Sequence, residues 1–257
     1  MALPLHRYHV IAGDVLDVTM VSVGEWEKDP RVAASIDDYL AEHPVAFNGT
    51  SLRLESYGYS PSERELVLTV SFSHYGDYVA TNLNPSFRQT FPSHLGQNTV
   101  VLGALPRTDD GKLFLNKRPM DARQSPGRID LPCGHPSELA VVPVGKGIKL
   151  TEGVGLDYIV DKEVGCVVST RSHRSPLLFM YEEPHRGYNC IYCVQLVYGS
   201  SKIESASDNP RKFFIDDDPD EISRFITEAP PCSPPVIPTL LYYGRRKYGD
   251  EWFSKHF

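Results

Sequence analysis

Several features that mark particular protein classes are missing from this chain of 257 residues. No run of lysine or arginine is long enough to bind a nucleic-acid backbone, and the net charge is −7, which argues against a nucleic-acid polymer as partner. No apolar stretch approaches the roughly 18 residues that span a bilayer. The N-terminal residues Met1–Arg7 lack a signal-peptide core. We therefore expect a cytoplasmic globular protein without membrane contact.

Cysteine is sparse, and the five residues are an odd number scattered along the chain, which is typical of reduced thiols. Cys190 and Cys193 form a Cys-x-x-Cys motif inside a predicted strand, where residues three apart face opposite sides. They are therefore interpreted as two core thiols and not as a zinc or redox pair. The sequence also has no Ser-His-Asp order, phosphate-binding glycine loop or dinucleotide fingerprint.

The pattern of apolar residues predicts an α/β protein. Residues 1–25 suggest a first strand, Asp29-Pro30 marks a helix start, and residues 52–57 and 66–72 read as a hairpin. From residue 98 the chain is rich in strands, and predicted helices follow at 219–227 and 237–243. Residues 1–95 are thus predicted to be an extension of strand, helix and hairpin, packed on a core formed by residues 96–257.

The most informative stretch runs from Pro126 to Cys166. It contains Leu131-Pro132-Cys133-Gly134-His135-Pro136 and ends with a predicted helix that leads to Gly165. Together with the preceding strand-turn-strand that ends in Lys117-Arg118, these residues resemble a Nudix core in which Cys133 replaces the first glycine. Upstream, residues 72–82 resemble a segment of the Nudix hydrolases that cleave UDP-glucose and UDP-galactose.

That resemblance covers about residues 31–243 and implies an α/β/α sandwich around a mixed β-sheet. The implied reaction is hydrolysis of a nucleotide sugar to UMP and a sugar 1-phosphate with Mg²⁺, so the expected partner is a nucleotide-like small molecule. Metal is needed because a diphosphate brings several negative charges into one cleft, and the attacking water must be activated. Mg²⁺ takes oxygen ligands, which a Nudix helix supplies from carboxylates at i, i+3 and i+4.

The predicted helix departs from the family pattern at the metal ligands. Anchored on Gly165, that pattern puts Tyr158 at an arginine position, and Ile159 and Lys162 at two metal-binding glutamates. Only the third glutamate, Glu163, is retained. The sequence therefore predicts a degenerate Nudix box with Glu163 and Asp161 as weak ligands, or no bound metal.

Two interpretations of this helix remain open. In one, a shifted register lets Asp157 and Asp161 act with Glu163, although Asp157 and Glu163 lie about 120° apart on a helical wheel. In the other, the metal is lost, and Lys162 is a fixed cation near a phosphate or a solvated helix residue. The candidate catalytic residues are accordingly Glu163, Lys162 and His135, the last as a general base or as a structural loop histidine.

Further candidates for substrate binding come from the segment that resembles the family and from polar residues at strand ends near the expected cleft. These candidates are Tyr75, Asp77, Thr81, Asn82, Arg118, Glu182 and His185. The first four contact uracil or sugar, or cap a loop through bonds to its backbone. Arg118 binds a phosphate or forms a surface ion pair. Glu182 and His185 belong to a new acid/base or metal site, or to a polar hairpin tip.

Three functions are compatible with these residues. The first is a Nudix-type hydrolase with an altered metal site. The second is a repurposed, metal-independent enzyme, and the third is a binding or regulatory protein without chemistry. All three require that the segment ending at Gly165 lies beside the Gly134-His135 turn and forms the wall of a pocket.

Overall fold

The structure is a computed structural model that describes residues 8–122, 124–135, 142–144, 147–149, 154–165, 174–182, 187–206, 211–228 and 230–256. Its strands are β1 (Tyr8–Gly13), β2 (Asp17–Glu25), β3 (Thr50–Ser60), β4 (Glu65–His74), β5 (Thr99–Arg107), β6 (Lys112–Lys117), β7 (Ile129–Asp130), β8 (Cys133–Gly134), β9 (Val142–Val144), β10 (Gly147–Lys149), β11 (Arg174–Glu182), β12 (Gly187–Gln195) and β13 (Lys212–Asp216). Its helices are α1 (Pro30–Glu42), α2 (Tyr75–Thr81), α3 (Pro85–Thr90), α4 (Val154–Val164), α5 (Ser200–Ser205), α6 (Pro219–Glu228), α7 (Val236–Tyr248) and α8 (Asp250–Ser254).

One mixed sheet of 11 strands organises the molecule, with the main order β1-β11-β12-β5-β3-β4-β2. The pairs β12–β5 and β2–β4 are parallel, and the other pairs are antiparallel. The predicted hairpin forms as β3 and β4, and β3 also pairs with β5 through Leu52 and Val100. Strands from both sides of residue 95 therefore share this sheet, and the division of the chain there stays a prediction.

Helices cover both faces of the sheet. On one face, Leu156 and Val160 of α4 and Ile203 of α5 pack into a cluster with Leu102 and Cys190. On the other face, α6, α7 and α8 contribute to a second cluster through Ile222, Leu240 and Trp252. Successive strand residues point to opposite faces, so each central strand feeds both clusters. The predicted α/β/α sandwich around a mixed sheet is confirmed.

The two thiols of the Cys-x-x-Cys motif separate as the strand period requires. Cys190 is buried in the cluster with α4, whereas Cys193 packs against the cluster with α7. The interpretation of these residues as two core thiols is confirmed.

Helix starts follow the local signals in the sequence. Asp29 precedes Pro30, the first residue of α1, and its carboxylate accepts the Arg31 backbone N–H at 2.8 Å. In the same way the Asp218 carboxylate accepts the Asp220 N–H at 2.9 Å at the start of α6.

The prediction of one strand over residues 1–25 is wrong, because the chain turns between β1 and β2. Asp14 takes the left-handed φ of 58° at that turn, a conformation that aspartate tolerates better than most residues.

The packing of α4 onto β8 fixes the site described below. Strand β8 pairs with β5 through Gly134 and Leu102, which attaches it to the centre of the sheet. A Cβ atom on Gly134 would lie 3.3 Å from Cγ1 of Ile159, so glycine lets the helix approach the strand closely. Ile159 is 4% exposed, so the residue that the sequence analysis aligned with a metal-binding glutamate is a core residue.

No helix in the described parts of the chain has the length and apolar character that a membrane span needs.

We predict that Ile159→Glu, which restores the family residue, lowers the free energy of unfolding by about 3 kcal/mol, because a carboxylate would be buried among apolar side chains. Urea denaturation measures the change. The matched control is Tyr158→Glu, since the neighbouring Tyr158 is 52% exposed and its replacement leaves the stability almost unchanged. Equal effects of the two variants would show that α4 does not pack in this orientation.

Candidate functional site

A cavity of about 500 Å³ lies where the end of α4 meets the turn that follows β8. Its wall includes Gly134 and His135 from the turn, and Lys162 and Glu163 from the helix. The predicted neighbourhood of the turn and the segment ending at Gly165 is thereby confirmed. Further walls come from α2 and from the loop that follows β6.

The charge of this cavity is opposite to that of the whole chain. Among the described residues that line it, four side chains are cationic and one is a carboxylate: Lys117, Arg118, Lys162, Arg211 and Glu163. The chain as a whole carries a net charge of −7. A concave site lined by one sign of charge concentrates ligands of the opposite sign, so the cavity favours anions.

Arg118 directly follows β6, and a buried carboxylate below the cavity holds it in place. Its Nη1 donates to Oδ2 of Asp130 at 2.7 Å. The other Asp130 oxygen accepts the Leu131 N–H at 2.9 Å and the Ser233 hydroxyl. The guanidinium therefore pairs with Asp130 on one side and still lines the cavity with the rest of its surface.

Glu163 is held by an amide from the neighbouring strand. Nδ2 of Asn116, in β6, donates to Oε2 of Glu163 at 2.6 Å. Lys162 is exposed at the rim, and Asp161 is not among the described residues that line the cavity. Asp157 pairs instead with Arg174 of β11, whose Nε donates to it at 3.0 Å. The three acids of the shifted-register interpretation thus do not line one wall.

Magnesium is the cofactor that the family resemblance implies. The side chains that line the cavity show whether the site could hold this ion. Within the described residues, no group of three or more His, Cys, Asp and Glu side chains could hold a metal ion. The end of α4 brings a single carboxylate, Glu163, to the cavity beside the cation Lys162. The described side chains therefore do not fit the carboxylate cluster of a Nudix helix.

His135 is surrounded by hydroxyls and aromatic rings. Its Nδ1 lies 3.1 Å from Oγ of Ser51 and 3.0 Å from Oγ1 of Thr99. The rings of Tyr75 and Tyr78 contact it with centroid distances of 5.3 and 5.0 Å. Burial lowers the pKa of His135 to about 4, so the imidazole is neutral at pH 7.

Asp77, Thr81 and Asn82 build the helix that carries the two tyrosines. Asp77 accepts the Ser73 hydroxyl at 2.8 Å and pairs with Lys28 at 2.8 Å. Thr81 donates to the Asp77 carbonyl at 2.8 Å, and the Thr81 and Asn82 side chains are almost completely buried. Because these contacts match the capping role that the sequence left open, their contact with a substrate stays a prediction.

Glu182, at the end of β11, lies in a small space next to the main cavity. The space of about 30 Å³ is also lined by Arg118, Asp130 and Asn189. Burial and, after it, the charge of Asp130 raise the pKa of Glu182 to about 7. The other residue predicted with it, His185, lies outside the described residues.

Sequence reasoning missed several residues that line the cavity or hold its side chains in place. Asn116 and Asp130 are one or two positions from recognised motifs, yet their roles depend on partners 47 and 12 positions away in the chain. Arg211 belongs to no motif that the sequence analysis recognised. Lys117 belongs to the Lys117-Arg118 pair that the sequence analysis recognised, and that pair was the one sequence feature that pointed to these cavity residues.

Comparisons with known proteins support the resemblance seen in the motifs. The human protein named uridine diphosphate glucose pyrophosphatase NUDT22 is 28% identical over 130 residues, which cover 46% of this chain and 43% of the relative. Its bovine counterpart is 29% identical over 128 residues, 45% of this chain and 44% of the relative. The similarity to Nudix hydrolases of the UDP-glucose type is confirmed, although the chain matches less than half of each relative's length. No protein-family model matches the chain.

Solved structures with a related arrangement include a MutT protein from Methanosarcina mazei and the ORF135 protein from E. coli. The match to the first has a TM-score of 0.38 at 18% identity and covers 58% of this chain and 94% of the MutT chain. The second has a TM-score of 0.32 at 17% identity, with 58% and 91% covered.

We predict that Glu182 makes stability fall with rising pH. The pKa of Glu182 is about 7 in the fold, against an ordinary value of 4.5. The folded protein therefore holds this proton more tightly than the unfolded chain, and the free energy of unfolding falls as the pH rises from 4.5 to 7. Relative to the unchanged protein, Glu182→Gln gains about 2 kcal/mol in free energy of unfolding between pH 5 and pH 8. Urea denaturation at the two pH values measures the gain.

The control for this experiment is Glu204→Gln, which removes an exposed carboxylate on α5. It is expected to show no comparable gain between the two pH values. A gain for Glu182→Gln that did not exceed the control would mean that the fold does not raise the pKa of Glu182.

Proposed function

We propose that the chain is a Nudix-type hydrolase of a nucleoside-diphosphate-linked substrate, with UDP-glucose as its model ligand. Water would attack one phosphorus of the diphosphate, giving UMP and a sugar 1-phosphate. The observation that carries the proposal is the cation-lined cavity between the Gly134-His135 turn and α4. The name of the matched relatives, a UDP-glucose pyrophosphatase, supports the same ligand class.

The four cations are the proposed partners of the diphosphate. Arg118 is oriented by Asp130 and can present two N–H groups to one phosphate, whereas lysine acts as a point charge. Lys162 and Arg211 enter from other elements, so positive charge would meet the ligand from several directions. The positive charge of these four side chains would offset the negative charge of a bound diphosphate.

The aromatic wall is the proposed site of the base. Tyr75 and Tyr78 line the cavity, and their rings lie 6.0 Å apart at an angle of 42°. Tyr78 is buried and donates from its hydroxyl to Gln124 at 3.2 Å, which fixes the ring. Ring faces of this kind stack on nucleobases. Because both tyrosines precede residue 95, we propose that residues 1–95 and 96–257 form the active site jointly.

Glu163 is the proposed catalytic carboxylate. The hydrogen bond from Asn116 engages Oε2 and orients the group, and Oε1 can then accept a proton from water. In Nudix hydrolases, Mg²⁺ supplies charge neutralisation and water activation. We propose that this box is degenerate, since Ile159 is a core residue and Lys162 a cation at the two other ligand positions.

We predict that Glu163→Gln abolishes release of UMP from UDP-glucose while leaving the affinity for UDP within about twofold, because the amide keeps the shape but cannot accept a proton. Phosphorus NMR follows the products, and calorimetry measures the affinity. Unchanged turnover would exclude Glu163 as the catalytic base.

For the cations, Lys162→Gln is expected to weaken UDP binding about fivefold, since it removes one partly screened charge at the rim. The matched control is Lys255→Gln, because exposed Lys255 follows α8 on the other face of the sheet. Equal affinities for both variants and the unchanged protein would refute the assignment of the cavity to the diphosphate.

A second candidate is a nucleotide-binding protein that has lost the chemistry. It is favoured by one observation, the combination of buried Ile159 with Lys162 at two ligand positions. Titration with UDP-glucose in the presence of Mg²⁺ and then with a chelator separates the two. Tight binding that needs no metal and gives no product supports the binding protein, and metal-dependent UMP release supports the hydrolase.

A further inference from the structure

We infer that His135 is a hydrogen-bond donor to a phosphate oxygen of the ligand, fixed as the Nε2–H tautomer by the hydroxyls of Ser51 and Thr99. The inference deepens the proposed function, because the phosphate belongs to the proposed ligand class. It makes Ser51 and Thr99 positioning residues, and it gives His135 a role different from that of a general base.

The two hydroxyls approach the same ring nitrogen. Ser51 lies in β3 and Thr99 begins β5, and these strands are hydrogen-bonded neighbours, so the backbone fixes both positions. Their oxygens lie 3.1 and 3.0 Å from Nδ1 of His135. Since His135 also lines the cavity, Nε2 is the ring nitrogen that remains for a ligand.

Gln97 sets the direction of the hydrogen bonds. Its Nε2 donates to the Ser51 oxygen at 2.8 Å, so the hydroxyl hydrogen of Ser51 is available for Nδ1. The backbone N–H of Gln97 donates to Thr81 at 3.2 Å, which anchors this residue to the end of α2. Gln97, Ser51 and Thr99 are all at most 1% exposed, so water does not compete for these groups.

The other tautomer fits this arrangement less well. With a proton on Nδ1, the ring would donate to hydroxyls whose own hydrogens then need acceptors in a buried place. The two hydroxyl oxygens are 3.4 Å apart, which is long for a mutual hydrogen bond. With Nδ1 as acceptor, its single lone pair takes the hydrogen of one hydroxyl, so one fewer buried hydrogen lacks a partner than in the other tautomer. That difference favours Nδ1 as the acceptor, because a buried polar group without a partner is costly.

The chemical consequence follows from the position of the proton. A neutral imidazole with its proton on Nε2 cannot take a proton from water at that nitrogen, but it can donate to an anionic oxygen. Burial lowers the pKa of His135, which keeps the ring from becoming an imidazolium. His135 would therefore add a fixed donor to the cations around the phosphate, and the role of base would pass to Glu163.

The first test is the ring nitrogen spectrum of the free protein, labelled with ¹⁵N, at pH 7. We expect His135 to show an unprotonated Nδ1 and a protonated Nε2, with assignment from the loss of its signals in His135→Asn. Addition of UDP or of inorganic pyrophosphate should shift the Nε2 signal more than the Nδ1 signal. An Nδ1–H tautomer, an imidazolium or an unmoved Nε2 signal would overturn the inference.

The second test removes the hydroxyls. In the double variant Ser51→Ala, Thr99→Val the ring should populate both tautomers, and UDP affinity should fall about fivefold. The matched control is Thr99→Ser, which retains the hydroxyl and should keep the tautomer and the affinity. If the double variant does not fold, the spectrum of the unchanged protein still decides the tautomer.

The two proposals fail separately. The tautomer of the free protein is measured without substrate, so its result stands even when UDP-glucose is not hydrolysed. An Nε2–H tautomer with pyrophosphate binding but no UMP release would refute the hydrolase and keep the donor role. UMP release together with an Nδ1–H tautomer would support the hydrolase and refute the donor role of His135.

Discussion

The site depends on the contact between α4 and the Gly134 strand. Gly134 has no Cβ, so Ile159 can lie against it, and this close approach sets both the height and the rotation of the helix. With Ile159 turned into the core, Lys162 and Glu163 come to the cavity wall. The pairing of β8 with β5 then fixes the turn that carries His135. One apolar contact thus decides which charged side chains of α4 line the cavity.

A second layer of buried polar contacts supports the opposite wall. Asp77 ties α2 to β4 and to Lys28, and Gln97 ties the end of α2 to Ser51 and so to His135. These bonds are made in places from which water is excluded, where an unpaired group would be costly. The N-terminal residues therefore provide structure to the cavity as well as the aromatic surface that lines it.

The electrostatics of the site rest on a division between the main cavity and the small space next to it. Cationic side chains line the main cavity, whereas the carboxylates of Asp130 and Glu182 line the small neighbouring space that Arg118 also lines. Two carboxylates that close together resist simultaneous ionisation, which is one cause of the raised pKa of Glu182. The ion pair with Asp130 orients Arg118, and the four cationic side chains of the main cavity leave a positive surface in an otherwise acidic protein.

The sequence by itself determined the features that neighbouring residues encode. Strand alternation predicted the β3–β4 hairpin, the Asp29-Pro30 pair predicted the start of α1, and the motifs around Gly134 and Gly165 predicted the location of the cavity. What the tertiary structure decided was the partner of each polar group. Asn116 meets Glu163, Asp157 turns to Arg174, and Thr99 meets His135 across 36 positions, because these pairings depend on strand register and helix rotation, which local patterns do not specify.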